Sequence, residues 1–578
     1  MIKFFSKLGF SYKEYIPKSI ICFQEGYSFS TFTQDLLAGI TIGVITLPLA
    51  MAYAIASGVS PEKGIYTAII AGFIISLLGG SRIQIGGPTG AFVVLVYTVI
   101  QKHGYEGLAT ATLIAGILMI FMGLTRCGVL LKFVPYPVTT GFTAGLAVNI
   151  FSSQIKDFFG LQMTKMPIHF LEKWMQYWQH ASTWKTSAFF VAFGTLALIF
   201  ILRRFYPRIP GTILAVIIAT VLTHLFHLPL ETIQTKFGGI PQSLPVPSLP
   251  DLTFVRIQEV FPDAIAIAFL AAIESLLSAM VADGMTGNRH RSNCELVAQG
   301  LGNIGSILFG GIPATGAIAR TAANIKMGGK TPVAGMIHAV TLLLLIVFLA
   351  PLAAQIPLAV LSAVLIFVAW NMAEIDHFVS ILRSHFSDAL VLLITFLLTV
   401  LIDLTVAVQV GVLMSAVLFL KRMTDTTTIE ACRIIIEEEE EQTPEIRDMD
   451  ILFRHDVPTD VTVFEIKGPF FFGVADLLNE TLRRVEEKPR VFILRMRKVP
   501  MIDTTGLQSL KKFALKCRSE NITFMISGAQ EPILALFKKT GLYGLIGKQN
   551  FFPHIDVALA AARPVSASIS LEPAKTLS

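Results

Sequence analysis

Long apolar runs separated by short polar stretches occupy most of the chain before residue 425. Most of these runs have roughly 15–23 residues, which is the length of an α-helix that crosses a bilayer. The pattern predicts about fourteen membrane segments, although 314–325 is short for a span. The predicted segments are 36–56, 65–79, 84–100, 107–125, 128–150, 187–202, 211–226, 262–283, 296–309, 314–325, 332–352, 355–371, 386–402 and 405–420.

The composition agrees with this pattern. Hydrophobic residues make up 53% of the 578 residues and charged residues only 15%, whereas a soluble domain averages about 25% charged residues. One soluble core cannot bury so many apolar residues. We therefore expect an α-helical polytopic membrane protein, with the lipid bilayer as its solvent.

The basic residues lie at the ends of apolar runs, as the positive-inside rule predicts for cytoplasmic loops. An even number of spans places both termini in the cytoplasm, and we expect a multi-pass protein of the cell inner (plasma) membrane. The same clustering accounts for the net charge of +6 without a nucleic-acid partner. Residues 1–30 contain lysines among aromatic residues and no cleavage pattern, so we expect a cytoplasmic N-terminal segment rather than a signal peptide.

Sequence motifs for common cofactors are missing. The five cysteines are scattered and suit neither a metal site nor a disulfide framework. No GxxxxGK loop occurs in the sequence, which disfavours ATP-driven pumping. A membrane enzyme is the weakest functional class, because no nucleophile–base pair or metal-ligand spacing is present. We expect no metal, no cofactor and no enzymatic activity.

The sequence changes character after Lys421, so that a transmembrane domain is predicted at 31–425 and an acidic linker at 426–455. Strands alternating with helices then predict a small cytoplasmic α/β domain at 456–562. The tail at 563–578 is rich in Ser, Ala and Pro and is expected to be disordered. The predicted strands are 461–468, 490–497 and 521–528, and the predicted helices are 475–487, 506–520 and 531–541.

Two similar interruptions occur in the apolar segments. GGPTGAF covers 86–92, and GGIPATGAIART covers 310–321. They fall in the third and the tenth segments, which are equivalent positions in two sets of seven. Matching interrupted segments in two halves indicate the binding site of a transporter. A single Gly-Pro break is as often a packing kink, but two matching breaks, one with an arginine, favour a functional site.

An inverted repeat would make the two broken helices point their N-termini at each other near the membrane midplane. Each N-terminus carries about half a positive charge and several unpaired N–H groups, which suit an anion. Arg320 adds a full charge, at an insertion cost of about 2.5–3.5 kcal/mol. The amides expected to face the anion are those of Thr89, Gly90, Ala91, Thr315, Gly316 and Ala317.

Glu274 is a second intramembrane charge, about twelve residues into the eighth segment. An ionisable residue at this depth is a functional hypothesis by default. Glu274 could bind a coupling proton, accept hydrogen bonds from the broken helices, or form an ion pair with Arg320. Ser278 follows one turn later on the same helix face.

Parts of the sequence resemble a known family. DLLAGITIGVITLPLAMAYAIASGVSPEKGIYTAII at 35–70, followed by LLGGSR, resembles the first signature of the sulfate permeases (the SulP group related to solute carrier family 26). GGIPATGAIARTAANI with GKTPVAGMIHA is most similar to the bacterial C4-dicarboxylate branch. The resemblance implies a 7+7 inverted repeat with core and gate domains, elevator-type alternating access, a homodimer and a cytoplasmic STAS domain.

The resemblance also implies that segments one, three, eight and ten line the anion site. One departure is Leu49, where many relatives have glutamine, and this difference weakens the case for sulfate. The residues matched in this way are Leu49, Tyr53, Thr89 to Ala91, Glu274, Ser278, and Ala319 to Thr321, which include Arg320.

The soluble domain contains VPMIDTTGLQSL at 499–510, which resembles the STAS motif whose first hydroxyl is phosphorylated in anti-sigma-factor antagonists. Thr504 matches that hydroxyl, and a phosphate would be tolerated at a helix start. The alternative, which we favour, is that Asp503 or Thr504 only caps the helix. The STAS domain could also bind a cytoplasmic protein.

The sequence thus predicts a secondary active anion transporter. Proton-coupled uptake of a C4-dicarboxylate or sulfate is the first hypothesis, with sodium as an alternative coupling ion. Bicarbonate or chloride transport, and a membrane sensor that signals through its STAS domain, are the alternatives. A nucleobase carrier of the same fold is disfavoured by Arg320, because such sites use carboxylates that pair with the base edge.

Overall fold

The chain forms a bundle of apolar helices, Met1–Ser415, and a C-terminal unit, Ala416–Ser578. The computed structural model describes residues 12–128, 135–163, 167, 169–206, 210–402, 404–431, 460–474, 478 and 488–567. Apart from residue 478, the predicted helix 475–487 lies outside the described residues, and so does most of the acidic linker.

The elements of the first unit follow the apolar pattern closely. Of the helices searched within the described residues, eight are long and apolar enough to cross a membrane. The elements are α1 (Lys18–Gln24), α2 (Phe29–Ala56), α3 (Pro61–Leu78), β1 (Gly86–Gly87), α4 (Gly90–Leu124), α5 (Tyr136–Phe159), α6 (Phe170–Gln179), α7 (Thr186–Phe205), α8 (Gly211–Leu225), α9 (Ile233–Phe237), α10 (Phe254–Thr286), α11 (Ser292–Leu308), β2 (Thr315–Gly316), α12 (Ile318–Lys326), α13 (Pro332–Ala353), α14 (Leu358–Met372), α15 (Ile375–Leu382), α16 (Phe386–Leu401) and α17 (Leu404–Thr426).

Several boundaries differ from the predicted segments. The segments 84–100 and 107–125 form one element, α4, with a kink at Gly104, whose φ of 67° is non-helical. The segment 314–325 is helical only from Ile318, because the residues before it form β2. The fold class is confirmed, whereas the count of fourteen spans stays a prediction.

The ends of the helices follow from local sequence. Ser28 caps α2 by accepting a hydrogen bond from the amide of Thr31, and Thr331 caps α13 in the same way from Val333. Proline occupies the first turn of α3 and of α13, where its missing N–H costs no helical hydrogen bond. Gly160 and Gly287 end α5 and α10 in the left-handed conformation.

The helices of the first unit pack in two groups. In the core group, α4 packs on α10 and α11, α13 packs on α2 and α3, and α12 packs on α10. In the gate group, α5 packs on α14 and α16, and α7 packs on α8 and α14, with α6 lying against α5 and α16. This division has the form of the core and gate domains that the resemblance implies.

The C-terminal unit contains a five-stranded sheet covered by helices. β3 (Thr428–Ala431) pairs antiparallel with β4 (Val461–Lys467), and β5 (Val491–Arg495), β6 (Thr523–Ser527) and β7 (Phe551–Phe552) follow in parallel. β3 falls within 426–455, the range predicted as linker. The helices of this unit are α18 (Thr504–Ser519), α19 (Glu531–Lys539), α20 (Leu542–Ile546) and α21 (Ile555–Ala567).

Candidate anion-binding site

The two interrupted segments meet in the core group. β1 and β2 pair antiparallel, with Gly86 opposite Gly316 and Gly87 opposite Thr315. α4 begins three residues after β1, and α12 begins two residues after β2. Since the paired strands run in opposite directions, the two helices leave the ladder in opposite directions, and their positive N-terminal ends lie on either side of it.

The first-turn amides on the two sides are not equally available. Thr89 and Ala317 are the N-cap residues of α4 and α12, and neither accepts a hydrogen bond from its helix through its side chain. The amide of Ala317, however, donates to the carbonyl oxygen of Ile85 at 2.9 Å. The prediction that this amide faces an anion is therefore wrong, because it closes the ladder between the two segments. In α12 the amides without an intrahelical acceptor are those of Ile318, Ala319 and Arg320.

Arg320 is buried, with 6% of its surface exposed. Its Nη2 donates to the carbonyl oxygen of Pro88, the residue that follows β1 in the other broken segment. Within the described part of the chain its Nη1 is buried and has no hydrogen-bond partner. A guanidinium held at one nitrogen and unpaired at the other is an arrangement that suits an anionic ligand.

Gly87 makes room for this arginine. Its φ of +145° is one that L-residues rarely adopt, and a Cβ built there would lie 2.7 Å from Arg320 Nη1. Glycine therefore serves both the backbone conformation and the close approach of the guanidinium. The sequence carries no separate signal for this role of Gly87, because the contact depends on the pairing of the two segments.

Glu274 lies on α10 and is 8% exposed. Its Oε2 accepts a hydrogen bond from Thr89 Oγ1 at 3.0 Å, at the N-terminus of α4. In the described part of the chain no ion pair joins Glu274 to Arg320, which is held by Pro88 instead. The carboxylate thus accepts a hydrogen bond from a broken segment, and the ion pair, the third alternative for this residue, is not formed.

Ser278 and Thr321 are bonded to each other. Ser278 Oγ donates to Thr321 Oγ1 at 3.2 Å, and the same oxygen accepts from the amide of Ile85 at 3.1 Å. Both residues are completely buried. Their hydroxyls therefore position α10 and α12 around β1 rather than face the open side of the site.

Other buried polar side chains hold the second broken segment. Thr315 Oγ1 donates to the carbonyl oxygen of Ala271 at 3.0 Å. Asn303 donates to the carbonyl of Ala314 and accepts from its amide, both at 2.8 Å. In the first broken segment, Gln84 donates to the carbonyl oxygen of Ser275 on α10 at 3.1 Å. Neither Asn303 nor Gln84 was among the predicted site residues.

The remaining predicted residues surround the start of α4. Tyr53 is buried and lies beside Gly90, where an added Cβ would be 3.4 Å from the tyrosine ring. The same Cβ would lie 3.3 Å from Ile150 and 3.6 Å from Met372, both in the gate group. Leu49 is half-buried, Ala91 is buried and Ala319 is exposed. The site therefore opens at the contact between the core and gate groups.

Thr504, the candidate phosphorylation site, is the first residue of α18 and is exposed. Asp503 is the N-cap, and its Oδ1 accepts from the amide of Gly506 at 2.7 Å. Its Oδ2 accepts from the amide of Phe472 at 3.1 Å. Asp503 thus caps α18, as the alternative interpretation predicted. Phosphorylation of Thr504 stays a prediction.

The sequence matches two family profiles. The profile of the sulfate permease family matches residues 32–395, and that of the STAS domain matches residues 453–558. The chain is 43% identical over 534 residues to the putative sulfate transporter YvdB of Bacillus subtilis, covering 92% of this chain and 98% of that protein. It is 33% identical over 466 residues to the bicarbonate transporter BicA of a Picosynechococcus strain, covering 77% and 80%.

Solved structures show the same fold. The murine Solute Carrier 26 family member A9 anion transporter superposes with a TM-score of 0.83 at 17% identity, covering 95% of this chain and 94% of that one. The transmembrane domain of a cyanobacterial bicarbonate transporter, BicA, superposes with a TM-score of 0.60 at 32% identity, covering 66% and 98%. This chain therefore belongs to the sulfate permease family of anion transporters and carries a C-terminal STAS domain.

Proposed function

We propose that this chain takes up a small dianion, sulfate or a C4-dicarboxylate, by proton-coupled secondary transport. The observation that carries the proposal is the unpaired, buried Nη1 of Arg320 beside two helix N-termini. Relatives named as putative sulfate transporters support sulfate within this class. The C4-dicarboxylate alternative rests on the sequence resemblance alone.

The charges at the site favour coupling to a proton. Two helix N-termini contribute about half a positive charge each, and Arg320 contributes one, for a total of about +2. An ionised Glu274 lowers this total to about +1, and protonation restores it. A dianion is therefore balanced only when Glu274 is protonated, so that each ligand promotes the binding of the other. Sodium replaces the proton in the competing scheme.

Alternating access would follow from motion of the core group against the gate group. Thr89, Glu274 and Arg320 all lie on elements of the core group, whereas Ile150 and Met372 approach Gly90 from the gate group. Moving the core group as one body would carry the site across the membrane without taking it apart. We further propose a homodimer in the plasma membrane, with both termini in the cytoplasm.

A second candidate is transport of bicarbonate. Relatives that are 30% and 33% identical are named bicarbonate transporters. The site would suit a monoanion while Glu274 is ionised, because its net charge is then about +1. Bicarbonate uptake would in that case proceed without proton binding at Glu274.

The test is uptake of labelled sulfate, succinate and bicarbonate into proteoliposomes under an imposed pH gradient. We expect Arg320→Met to abolish uptake of every anion. The matched control is Arg256→Met. Arg256 is a half-exposed arginine on the same helix as Glu274, and it pairs with Asp251 at 3.2 Å. Uptake by Arg320→Met at the wild-type rate would refute the proposed site.

Coupling is tested with Glu274→Gln, which imitates the protonated side chain. We expect this variant to exchange labelled for unlabelled sulfate while net uptake no longer follows the pH gradient. If uptake still follows the gradient, the proton is not bound at Glu274. A sodium gradient imposed at equal pH on both sides distinguishes the competing coupling ion.

A further inference from the structure

The helix α6 buries a lysine and exposes several large apolar residues. Lys173 and Tyr177, one turn apart, are 4% and 5% exposed. Leu171, Met175 and Trp178 lie on the outer side and are 63–86% exposed. This is the reverse of a soluble surface helix, in which the apolar face is buried and the charged face is solvated.

A membrane–water interface explains the outer side of α6. Tryptophan is enriched where the bilayer meets water, and an amphipathic helix can place its apolar face there. The packing of α6 on α5 and α16 is consistent with a helix lying across the ends of the gate group. This placement leaves the buried lysine on the inner side without an explanation.

In the part of the chain that the structure describes, Lys173 has no counter-charge. Its Nζ lies 5.9 Å from the centre of the Tyr97 ring. Among the described residues, no hydrogen bond or ion pair engages its ammonium group. Burial alone lowers the pKa of Lys173 to about 8, and no carboxylate raises it again. At neutral pH the group is therefore still mostly charged, and its charge is not balanced by a carboxylate among the described residues.

The contact with Tyr97 places Lys173 near the site described above. Tyr97 lies on α4, seven residues after Gly90, and thus about 10 Å along the helix from its N-terminus. α4 belongs to the core group, whereas α6 packs on the gate group. Lys173 therefore lies where the two groups meet, about two helical turns from the amides that follow Thr89.

We propose that Lys173 forms a second binding site, which the transported anion occupies on its way to or from Arg320. The ligand is a small oxyanion such as sulfate, which would pair with the ammonium and supply the missing counter-charge. The inference rests on the proposed function, because the same anion must bind at both places. Among the described residues, Tyr97 on α4 approaches Lys173, and Tyr177 lies one turn further along α6; neither is an anion at neutral pH. Asp157 on α5 acts on Tyr177 and pairs with Lys236 at 3.9 Å, but it does not raise the pKa of Lys173.

Tryptophan fluorescence gives a direct test. Three of the four tryptophans, Trp174, Trp178 and Trp184, lie on or just after α6, and the fourth is Trp370. In full-length protein carrying Trp370→Phe, we expect sodium sulfate, added at constant ionic strength, to cause a saturable fluorescence change. Lys173→Met should abolish this change, Lys173→Arg should keep it, and Arg320→Met should also keep it, since the two sites are separate.

Transport kinetics separate this inference from the proposed function. We expect Lys173→Met to raise KM for sulfate about tenfold, in the direction of transport that enters from the α6 side, with little change in kcat. Its thermal stability should stay close to the wild-type value, because no hydrogen bond or ion pair of the Lys173 ammonium is lost. A sulfate response in Lys173→Met equal to wild type would overturn the second site, as would loss of the response in Arg320→Met. Uptake by Arg320→Met would instead overturn the proposed function.

Discussion

The close approach of Gly87 to Arg320 gives a prediction whose size can be worked from the structure. An alanine at Gly87 would place its Cβ 2.7 Å from Arg320 Nη1, whereas comfortable contacts are about 3.5–4.0 Å. The guanidinium must therefore move by about 1 Å. A displaced guanidinium loses a charge-assisted hydrogen bond to the anion, which is worth about 1.5–3 kcal/mol. We expect Gly87→Ala to weaken anion binding about 10- to 150-fold.

The control for this prediction is Gly328→Ala. Gly328 also has a positive φ, +91°, but nothing lies within 4 Å of an added Cβ. Each substitution pays a backbone cost of about 1–3 kcal/mol, and only Gly87→Ala displaces the arginine. The assay is the KM for sulfate or succinate in proteoliposomes, normalised to folded protein, beside the Tm of each variant. Equal KM values in the two variants would refute the placement of Arg320 Nη1 in the site.

Four further predictions test other contacts. Thr89→Val removes the hydrogen bond to Glu274 Oε2 and should reduce uptake about tenfold or more. Thr89→Ser keeps a hydroxyl and should retain the wild-type uptake rate. Equal uptake rates in the two variants would contradict a role for this bond. His338 is completely buried, and both of its ring nitrogens lack a partner in the described part of the chain. His338→Leu should therefore raise the free energy of unfolding by about 1 kcal/mol, and a lower Tm would mean that the ring has a ligand such as water. Asp503→Ala removes the cap of α18 and should lower the stability of the STAS domain by about 0.5–2 kcal/mol. Hydrogen exchange in the full chain measures this loss, and Asp503→Asn should stay close to wild type. Unchanged protection in the alanine variant would contradict the prediction. Because the pKa of Lys173 is lowered to about 8, the side chain loses its charge above that pH. The sulfate fluorescence response should therefore halve near pH 8 in wild type and stay constant from pH 7 to 9 in Lys173→Arg. The same pH profile in both proteins would contradict titration of Lys173.

Local sequence determined the membrane helices and the place of the site. Apolar runs of bilayer length admit few other structures, because backbone polar groups in lipid must be satisfied within the helix. The glycines and prolines before Gly90 and Ile318 end one element and allow another to begin. Both interruptions could therefore be predicted from the sequence. Arg320 could be recognised because a charge within an apolar segment is costly and needs a reason.

Tertiary structure decided which atoms the site presents. The ladder between Gly86–Gly87 and Thr315–Gly316 joins residues that are far apart in the chain, and it engages the amide of Ala317 that the sequence analysis had assigned to the anion. The same pairing brings Gly87 to Arg320, and the packing of α10 brings Glu274 to Thr89. Periodicity specifies which residues share a helix face, but not which partner that face meets. For this reason the sequence predicted a positive charge within an apolar segment. Only the fold decided that Glu274 bonds Thr89 and that Arg320 Nη1 has no partner among the described residues.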